Sequence, residues 1–370
     1  MDKIVLVTNI PNHYRIPLFN ALSNSLKGEE IQLKVIFGAA GYATRKNQVS
    51  FKDCQFDYTF LQVSGGPKGK IKYKGLLKEL KNEKPDRIVV SGFNWATLKC
   101  LYYCKQKAIP LLLWNGSVEI GVVKTPWIKK LFRRVLIPHI NHFIAYGSLA
   151  KKYLIELGAK AESVSAIGNT IDTTFFEQEV HAEHIKRTDP NRKHHLLYIG
   201  YLTPRKNVFP LLEVAEALTE IRKDFVLDIV GDGESLKALK EKAGQMNLTS
   251  HVEFHGFKQK AELPSYLAQA DVFLFQTEGD IWGLVLNEAM ISALPTLASD
   301  KAGASYDLIE EGNNGYKVNF HQTSSVVALI EELLNNPEKA RKIGESAAKS
   351  INNEYSIIKV TERFKKALIA

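Results

Sequence analysis

Cysteine is scarce in this chain of 370 residues: Cys54, Cys100 and Cys104 are the whole complement. Three thiols cannot pair completely, and the step from Cys100 to Cys104 suits one helix face without the His or Cys partners that zinc needs. A disulfide scaffold and a zinc module are thereby set aside, and reduced thiols are expected. Long apolar runs are missing as well. A membrane-crossing helix takes about 20 consecutive apolar residues, whereas Met1–Thr8 has one Lys and the short run IVLV. The expectation is a chain without signal peptide or membrane span that stays in the cytoplasm. Internal repeats, low-complexity stretches and an Asp-x-Asp pair for a divalent ion are also lacking.

What is present is a hydrophobic content of 45%, enough for two domains with proper cores. The net charge of +9 is unevenly placed. Residues 1–185 hold 26 Lys and Arg against 15 Asp and Glu, a net of +11, while the remainder holds 23 against 25, a net of −2. A basic half calls for an acidic partner. No helix-turn-helix, RNP-like or zinc-finger pattern accompanies the charge, which argues against nucleic acid. An anionic membrane surface or a phosphorylated acceptor fits better.

Lys3–Thr8 reads as a strand, Asn9–His13 as a loop and Ile16–Leu26 as a helix, with Pro17 suited to its first turn. In such a β-loop-α unit the loop Asn9–Arg15 sits at the carboxyl end of the strand, where ligands are held, so His13 and Arg15 are candidates. Leu33–Phe37, Arg87–Ser91, Pro110–Leu113 and His142–Ala145 continue as short apolar strands between helical stretches, the alternation of a parallel α/β sheet. Trp114–Glu119 (WNGSVE) follows the third of these, offering Asn115, Ser117 and Glu119 as polar contacts, although an Asn-Gly turn explains much of the stretch. Glu177–His195 is polar, with Asp189-Pro190-Asn191 as a turn, and reads as an interdomain linker. Its histidines, His181, His184, His194 and His195, lack fixed ligand geometry and read as solvated.

The chemistry concentrates further on. Val272–Gln276 (VFLFQ) is a buried strand, Gly279 and Gly283 loosen the following turn, and Leu284–Leu294 has helical periodicity closed by Pro295. The first N–H groups of that helix favour an anion, and Glu288, a turn further in, can reach hydroxyls. Phosphate plus diol suggests a nucleotide. An earlier strand, HLLYIG, runs into the loop YLTPRKN, where Lys206 supplies a compact charge and Arg205 a guanidinium fork.

DIWGLVLNEAM, Asp280–Met290, resembles the E-x7-E signature of family-4 retaining glycosyltransferases of the GT-B fold, with Asp280 as the first acid and Glu288 as the second. The loop after Gly200 resembles the same family's G-R-L-x-x-x-K-G, matched at Gly200, Leu202 and Lys206, with Tyr201 where an arginine is usual. The resemblance implies two Rossmann-like domains facing across a cleft: an acceptor-side domain 1–177, a linker 178–195, a nucleotide-sugar domain 196–352 and a helix 353–370 returning to the first domain. It implies that Lys206, Arg205 and the helix N-terminus at Gly283, Leu284 and Val285 hold the donor diphosphate. Glu288 then binds the ribose, Asp280 the sugar hydroxyls, and backbone near Phe257 the base. The implied reaction is sugar transfer from a nucleoside-diphosphate sugar to a glycan or lipid-linked acceptor, with retained configuration, no cofactor and no required metal. A nucleotide-sugar 2-epimerase or a catalytically silent binding subunit are the alternatives such a chain leaves open.

Lys124–Leu136 (KTPWIKKLFRRVL) alternates apolar pairs with the basic pairs Lys129/Lys130 and Arg133/Arg134, so a helix begun at Pro126 has an apolar face beside a cationic one. It either packs on the first domain's sheet or lies on an anionic membrane. The charge surplus favours the membrane, because Lys68, Lys70, Lys72, Lys74 and Lys78 add a second basic stretch that no core requires.

Overall fold

The alternating strands and helices resolve, in a computed structural model, into two parallel sheets. The structure describes residues 2–41, 51–62, 71–185 and 192–369. Lys68, Lys70 and the expected turn Asp189–Asn191 lie outside the described residues. The chain divides into unit 1, made of Met1–Glu119, Thr125–Asp172 and Ser356–Ala370, and unit 2, made of Ile120–Lys124 and Thr173–Tyr355.

Unit 1 is built on β1 (Asp2–Thr8), β2 (Ile31–Phe37), β3 (Asp57–Phe60), β4 (Arg87–Ser91), β5 (Leu111–Asn115), β6 (His142–Ala145) and β7 (Val164–Ala166). Their order is β3-β2-β1-β4-β5-β6-β7, and each registered pair is parallel. Because helices cover both faces of such a sheet, its central strands are apolar throughout. Ile4–Val7 and Ile88–Val90 are buried accordingly. The helices Arg15–Lys27 and Ile357–Ile369 share one core, in which Phe19, Leu22 and Leu26 join Val360, Phe364 and Leu368.

Unit 2 repeats the plan with β8 (His194–Ile199), β9 (Phe225–Val230), β10 (Val252–Gly256), β11 (Val272–Phe275), β12 (Thr296–Ser299) and β13 (Tyr316–Val318), in the order β10-β9-β8-β11-β12-β13. The helices Phe209–Thr219 and Thr323–Asn335 pack Leu211, Leu212 and Leu218 with Val326, Ile330 and Leu333. The order reverses between β1 and β4 in unit 1 and between β8 and β11 in unit 2. At such a switch point successive crossovers leave in opposite directions, and the strand ends open a crevice for ligands.

Three readings of the sequence need correction. The supposed linker 178–195 is largely structured: Thr173–Ile185 is a helix, and His194 and His195 begin β8. Phe176 and Val180, one turn apart and both buried, give that helix an inward side which its many charges obscured. The helix after the acidic turn stops at Ile291, because Ala293 takes a left-handed conformation (φ 56°) ahead of Pro295. The third concerns the cationic face of the helix Trp127–Leu136, whose apolar side chains stand exposed: Trp127 72%, Ile128 62%, Leu131 56% and Val135 60%. Its four cations do not form one free stripe. Lys130 Nζ lies 2.8 Å from Glu119 and Arg133 Nη1 donates to Tyr153 Oη at 2.6 Å, which leaves Lys129 and Arg134 outward.

Candidate active site

The switch point of unit 2 is where the candidate residues converge. β8 ends at Ile199, and Leu202, fully buried, pins the following loop to the core while its N–H donates to Asp232 O at 3.0 Å. That anchor turns Lys206 inward. Its side chain is buried, runs over the Phe275 ring at 4.7 Å and reaches Asp280 Oδ2 at 2.5 Å. Arg205 stays half-exposed, donating to Gly279 O at 2.6 Å with its Nη1 3.7 Å from Asp280 Oδ1. The two loops are also laced by backbone, since Glu278 N–H donates to Arg205 O at 3.0 Å and Gln276 Nε2 to Asn207 O at 3.1 Å.

Charges so placed set one another. Burial alone raises the Asp280 carboxyl, but the Lys206 charge and hydrogen bond and the Arg205 charge outweigh it and hold Asp280 below its ordinary value. Burial works against the Lys206 ammonium, and the carboxylate beside it works for it. The result is an ion pair kept dry. Glu278 shows the same balance: burial would raise it, yet hydrogen bonds from Lys301, His321 and Asn207 bring it down to about 2. It buttresses the turn from below, with Lys301 Nζ at 2.5 Å and His321 Nε2 at 2.6 Å.

Beyond the acidic turn, Gly283 caps the helix Leu284–Ile291 with φ 97°, and a Cβ there would stand 2.3 Å from the Phe275 ring. Only glycine meets both demands. The N–H groups at the start of this helix, at Leu284 and Val285, are the ones a helix leaves for an anion. One turn in, Glu288 is buried. Burial therefore pushes Glu288 up to about 8, with Lys260 pulling weakly the other way. Burial thus favours the protonated carboxyl, which can give one hydrogen bond and accept another.

Sequence reasoning missed several parts of this site. Tyr198 is fully buried, its hydroxyl has no partner among the described residues, and a Cβ on Gly200 would come within 2.6 Å of that oxygen. It forms the floor beneath the loop. Phe275 under Lys206 and the Glu278 buttress were missed too, as was the segment Ile120–Lys124, whose Val122 N–H donates to Glu278 O at 2.8 Å. A tyrosine in a strand and a valine far upstream carry no local signal of such roles. Gly200 closes β8 with its N–H on Val230 O at 3.0 Å, and Phe257 follows β10, half-buried.

In unit 1 the candidates do not form a charged cradle. Arg15 opens its helix and is buried, its guanidinium 3.9 Å over the Trp114 ring and its Nη2 donating to Tyr146 Oη at 2.7 Å. Asn115 is buried at the end of β5 and accepts from Ser117 Oγ at 3.0 Å. Arg15 Nη1 and Asn115 Nδ2 have no partner among the described residues. His13 lies edge-on to Tyr14 at 5.4 Å. The Glu119 carboxylate accepts from Thr125 N–H at 3.0 Å and from Lys130, so it holds the entry to the Trp127–Leu136 helix.

Two doubly wound parallel units, with a cationic cradle and a helix N-terminus at the switch point of the second, define a protein of the GT-B fold. Comparison agrees. The Anabaena protein HepE, in a structure with UDP, superposes with a TM-score of 0.78 over 100% of both chains at 16% identity. Residues 180–350 match the model of the family described as glycosyl transferases group 1. The α-D-kanosaminyltransferase of Streptomyces kanamyceticus is 29% identical over 162 residues, covering 44% of this chain and 42% of that one. The poly(ribitol-phosphate) α-N-acetylglucosaminyltransferase of Staphylococcus aureus is 28% identical over 167 residues, covering 45% and 34%. The chain thus spans less than half the length of these two curated relatives.

Proposed function

We propose that the chain is a retaining glycosyltransferase that moves a sugar from a nucleoside-diphosphate sugar to a glycan or lipid-linked acceptor at an anionic membrane face. The observation that carries this reading is the buried Lys206–Asp280 pair beside Arg205 and the Leu284–Ile291 helix N-terminus. Departure of a nucleoside diphosphate builds negative charge on its oxygens. Groups already aimed at that charge, in a dry site, lower the barrier without reorganising. Lys206, Arg205 and the N–H groups of Leu284 and Val285 take that role, while Glu288 meets the ribose diol and Asp280 the sugar hydroxyls. The bond from C1 to the phosphate oxygen breaks with its electron pair on that oxygen. The acceptor hydroxyl then bonds to C1 from the same face, and its proton passes to the departing diphosphate. The chemistry needs no metal, since the cradle's own cations balance the leaving group.

The membrane part of the proposal rests on the Trp127–Leu136 helix, whose large apolar side chains stand in water beside Lys129 and Arg134. Lys72, Lys74 and Lys78 are exposed and add to the field. No helix among the described residues is long and apolar enough to cross a membrane. The test is a thermal-shift titration with UDP, the nucleotide bound to HepE, alongside other nucleoside diphosphates. Candidate donors are then incubated with and without a membrane extract as acceptor. A saturable rise in Tm and acceptor-dependent release of the diphosphate are expected. Release that ignores the acceptor, or no nucleotide binding at all, would overturn the reading.

A further inference from the structure

Away from the cradle, three neighbouring strands of unit 2 carry side chains that a covered parallel sheet does not ordinarily hold. Asp228 of β9 is in register with Glu253 of β10, and at His255, where a bulge shifts the register, the ring Nε2 comes to 2.7 Å from Asp228 Oδ1, so the three side chains meet. His195 of β8 pairs with Val226, two residues before Asp228, and therefore joins them. Strands covered on both faces are expected to be apolar there. Four adjoining polar groups ask for a reason, and burial makes the question sharper: the Asp228 side chain is only 9% exposed.

We infer that this face is a zinc-binding site formed by His255 Nε2, Asp228 Oδ1 and Glu253 Oε2. The three donor atoms lie within 4.8 Å of one another. His255 Nε2 is 2.7 Å from Asp228 Oδ1 and 3.9 Å from Glu253 Oε2. Zinc bonds of about 2.0–2.2 Å set tetrahedral ligand atoms roughly 3.3–3.5 Å apart, so one contact opens and the other closes by side-chain rotation. The metal takes the place of the proton that otherwise joins His255 to Asp228. The second oxygen of Asp228 accepts from His195 Nδ1 at 2.6 Å, the outer-shell bond that orients a ligating carboxylate. Glu253, 63% exposed, opens the site to solvent and leaves the fourth position to water. An imidazole with two carboxylates suits zinc better than magnesium or calcium. Bound there, zinc ties β9 to β10 and has no part in the transfer step.

Calorimetric titration of the metal-stripped full chain with zinc chloride tests this, with cobalt(II) absorption as a probe of coordination. One zinc per chain is expected, with a matching rise in Tm. His255→Gln and Glu253→Gln are each expected to weaken binding by at least tenfold, while His194→Gln and His321→Gln leave it unchanged. Retention of the wild-type far-ultraviolet circular dichroism spectrum shows that each variant is folded. Absence of saturable binding, or binding that survives both His255→Gln and Glu253→Gln, overturns the site.

Discussion

The carboxyl edges of the two sheets share a topology and differ in content. In unit 2 the loops after β8 and β11 bring Lys206, Arg205, Asp280 and Glu278 together, and each charge has an opposite charge or a carbonyl to face. In unit 1 the corresponding edge holds, among the described residues, the buried cation Arg15, laid on Trp114 and tied to Tyr146. The first arrangement is built to meet concentrated negative charge. The second is an aromatic floor with a few donors, Arg15 Nη1 and Asn115 Nδ2 among them. One architecture has therefore been given two recognition chemistries, and the two are expected to be separable by mutation.

The widest separation lies between surface attachment and donor binding. Trp127→Ser with Leu131→Ser removes two exposed apolar side chains one turn apart on the Trp127–Leu136 helix. Inserting each into a lipid interface is worth about 1.5–3 kcal/mol, so vesicle binding is expected to fall by more than about a hundredfold. The UDP-induced shift in Tm should not change. Lys129→Ser with Arg134→Ser should act more weakly, by about 1 kcal/mol per residue, and only on anionic vesicles. Co-sedimentation that survives the first pair would remove the surface role from unit 1.

Lys206→Ala is the reverse test. It strips the leaving group of its nearest cation and is expected to cost about 3 kcal/mol, or roughly a hundredfold in kcat. Vesicle binding should be untouched. Because Asp280 is then left buried beside Arg205 alone, a lower Tm is also expected, and Lys206→Arg should restore stability better than turnover. Turnover near that of the wild type in Lys206→Ala would dismantle the cradle.

Glu288 sharpens the comparison from within unit 2, because it is a buried carboxyl without the partners that Asp280 has. Its folded value of about 8 stands above the ordinary 4.5. Between those pH values the folded state keeps a proton that the unfolded chain has released. Stability from this group is thus complete below pH 4.5 and is lost as the pH rises through 8. Glu288→Gln cannot ionise, so its Tm should match the wild type near pH 4 and exceed it at pH 9, by about 2–4 °C for each kcal/mol. Transfer should nonetheless fall about a hundredfold, since the amide gives the ribose a different pattern of donors. A variant no more stable at pH 9 than the wild type would mean that Glu288 has a charge partner when folded.

These differences also decide how much could be read from the chain. The proposed phosphate recognition demands particular residue types after particular strands, so Lys206, Arg205, Gly283 and Glu288 could be picked out as candidates in one dimension, as could the alternation that gives both sheets. Tyr198, Phe275 and Glu278 act through neighbours distant in sequence, Asp280, Lys206 and Lys301, or through packing that any aromatic or acid could signal. Arg15 was visible as a cation, but its stacking on Trp114 was not. The helix Thr173–Ile185 escaped because its two inward residues are set among charges. His195 looked like one of a solvated run until β9 supplied Asp228.

The smallest effect belongs to Asp280→Glu, which restores the acid that the family signature usually has. Asp280 Oδ2 is held by Lys206 and Oδ1 faces Arg205, while its own N–H and carbonyl are fixed by Lys301 O at 3.0 Å and Gly303 N–H at 2.9 Å. The backbone cannot retreat to make room. An extra methylene therefore carries the carboxylate past Lys206 toward the space where the donor sugar is proposed to sit, and the ion pair loosens only slightly. Contact with the diphosphate is unaltered. Donor preference is expected to change by roughly threefold to tenfold, less than about 1.4 kcal/mol, with UDP affinity constant within error. Measuring kcat/KM for two sugars on one nucleotide, beside the UDP affinity, separates the outcomes. If both quantities move together, Asp280 serves the phosphates through Lys206, and the sugar is read by another residue.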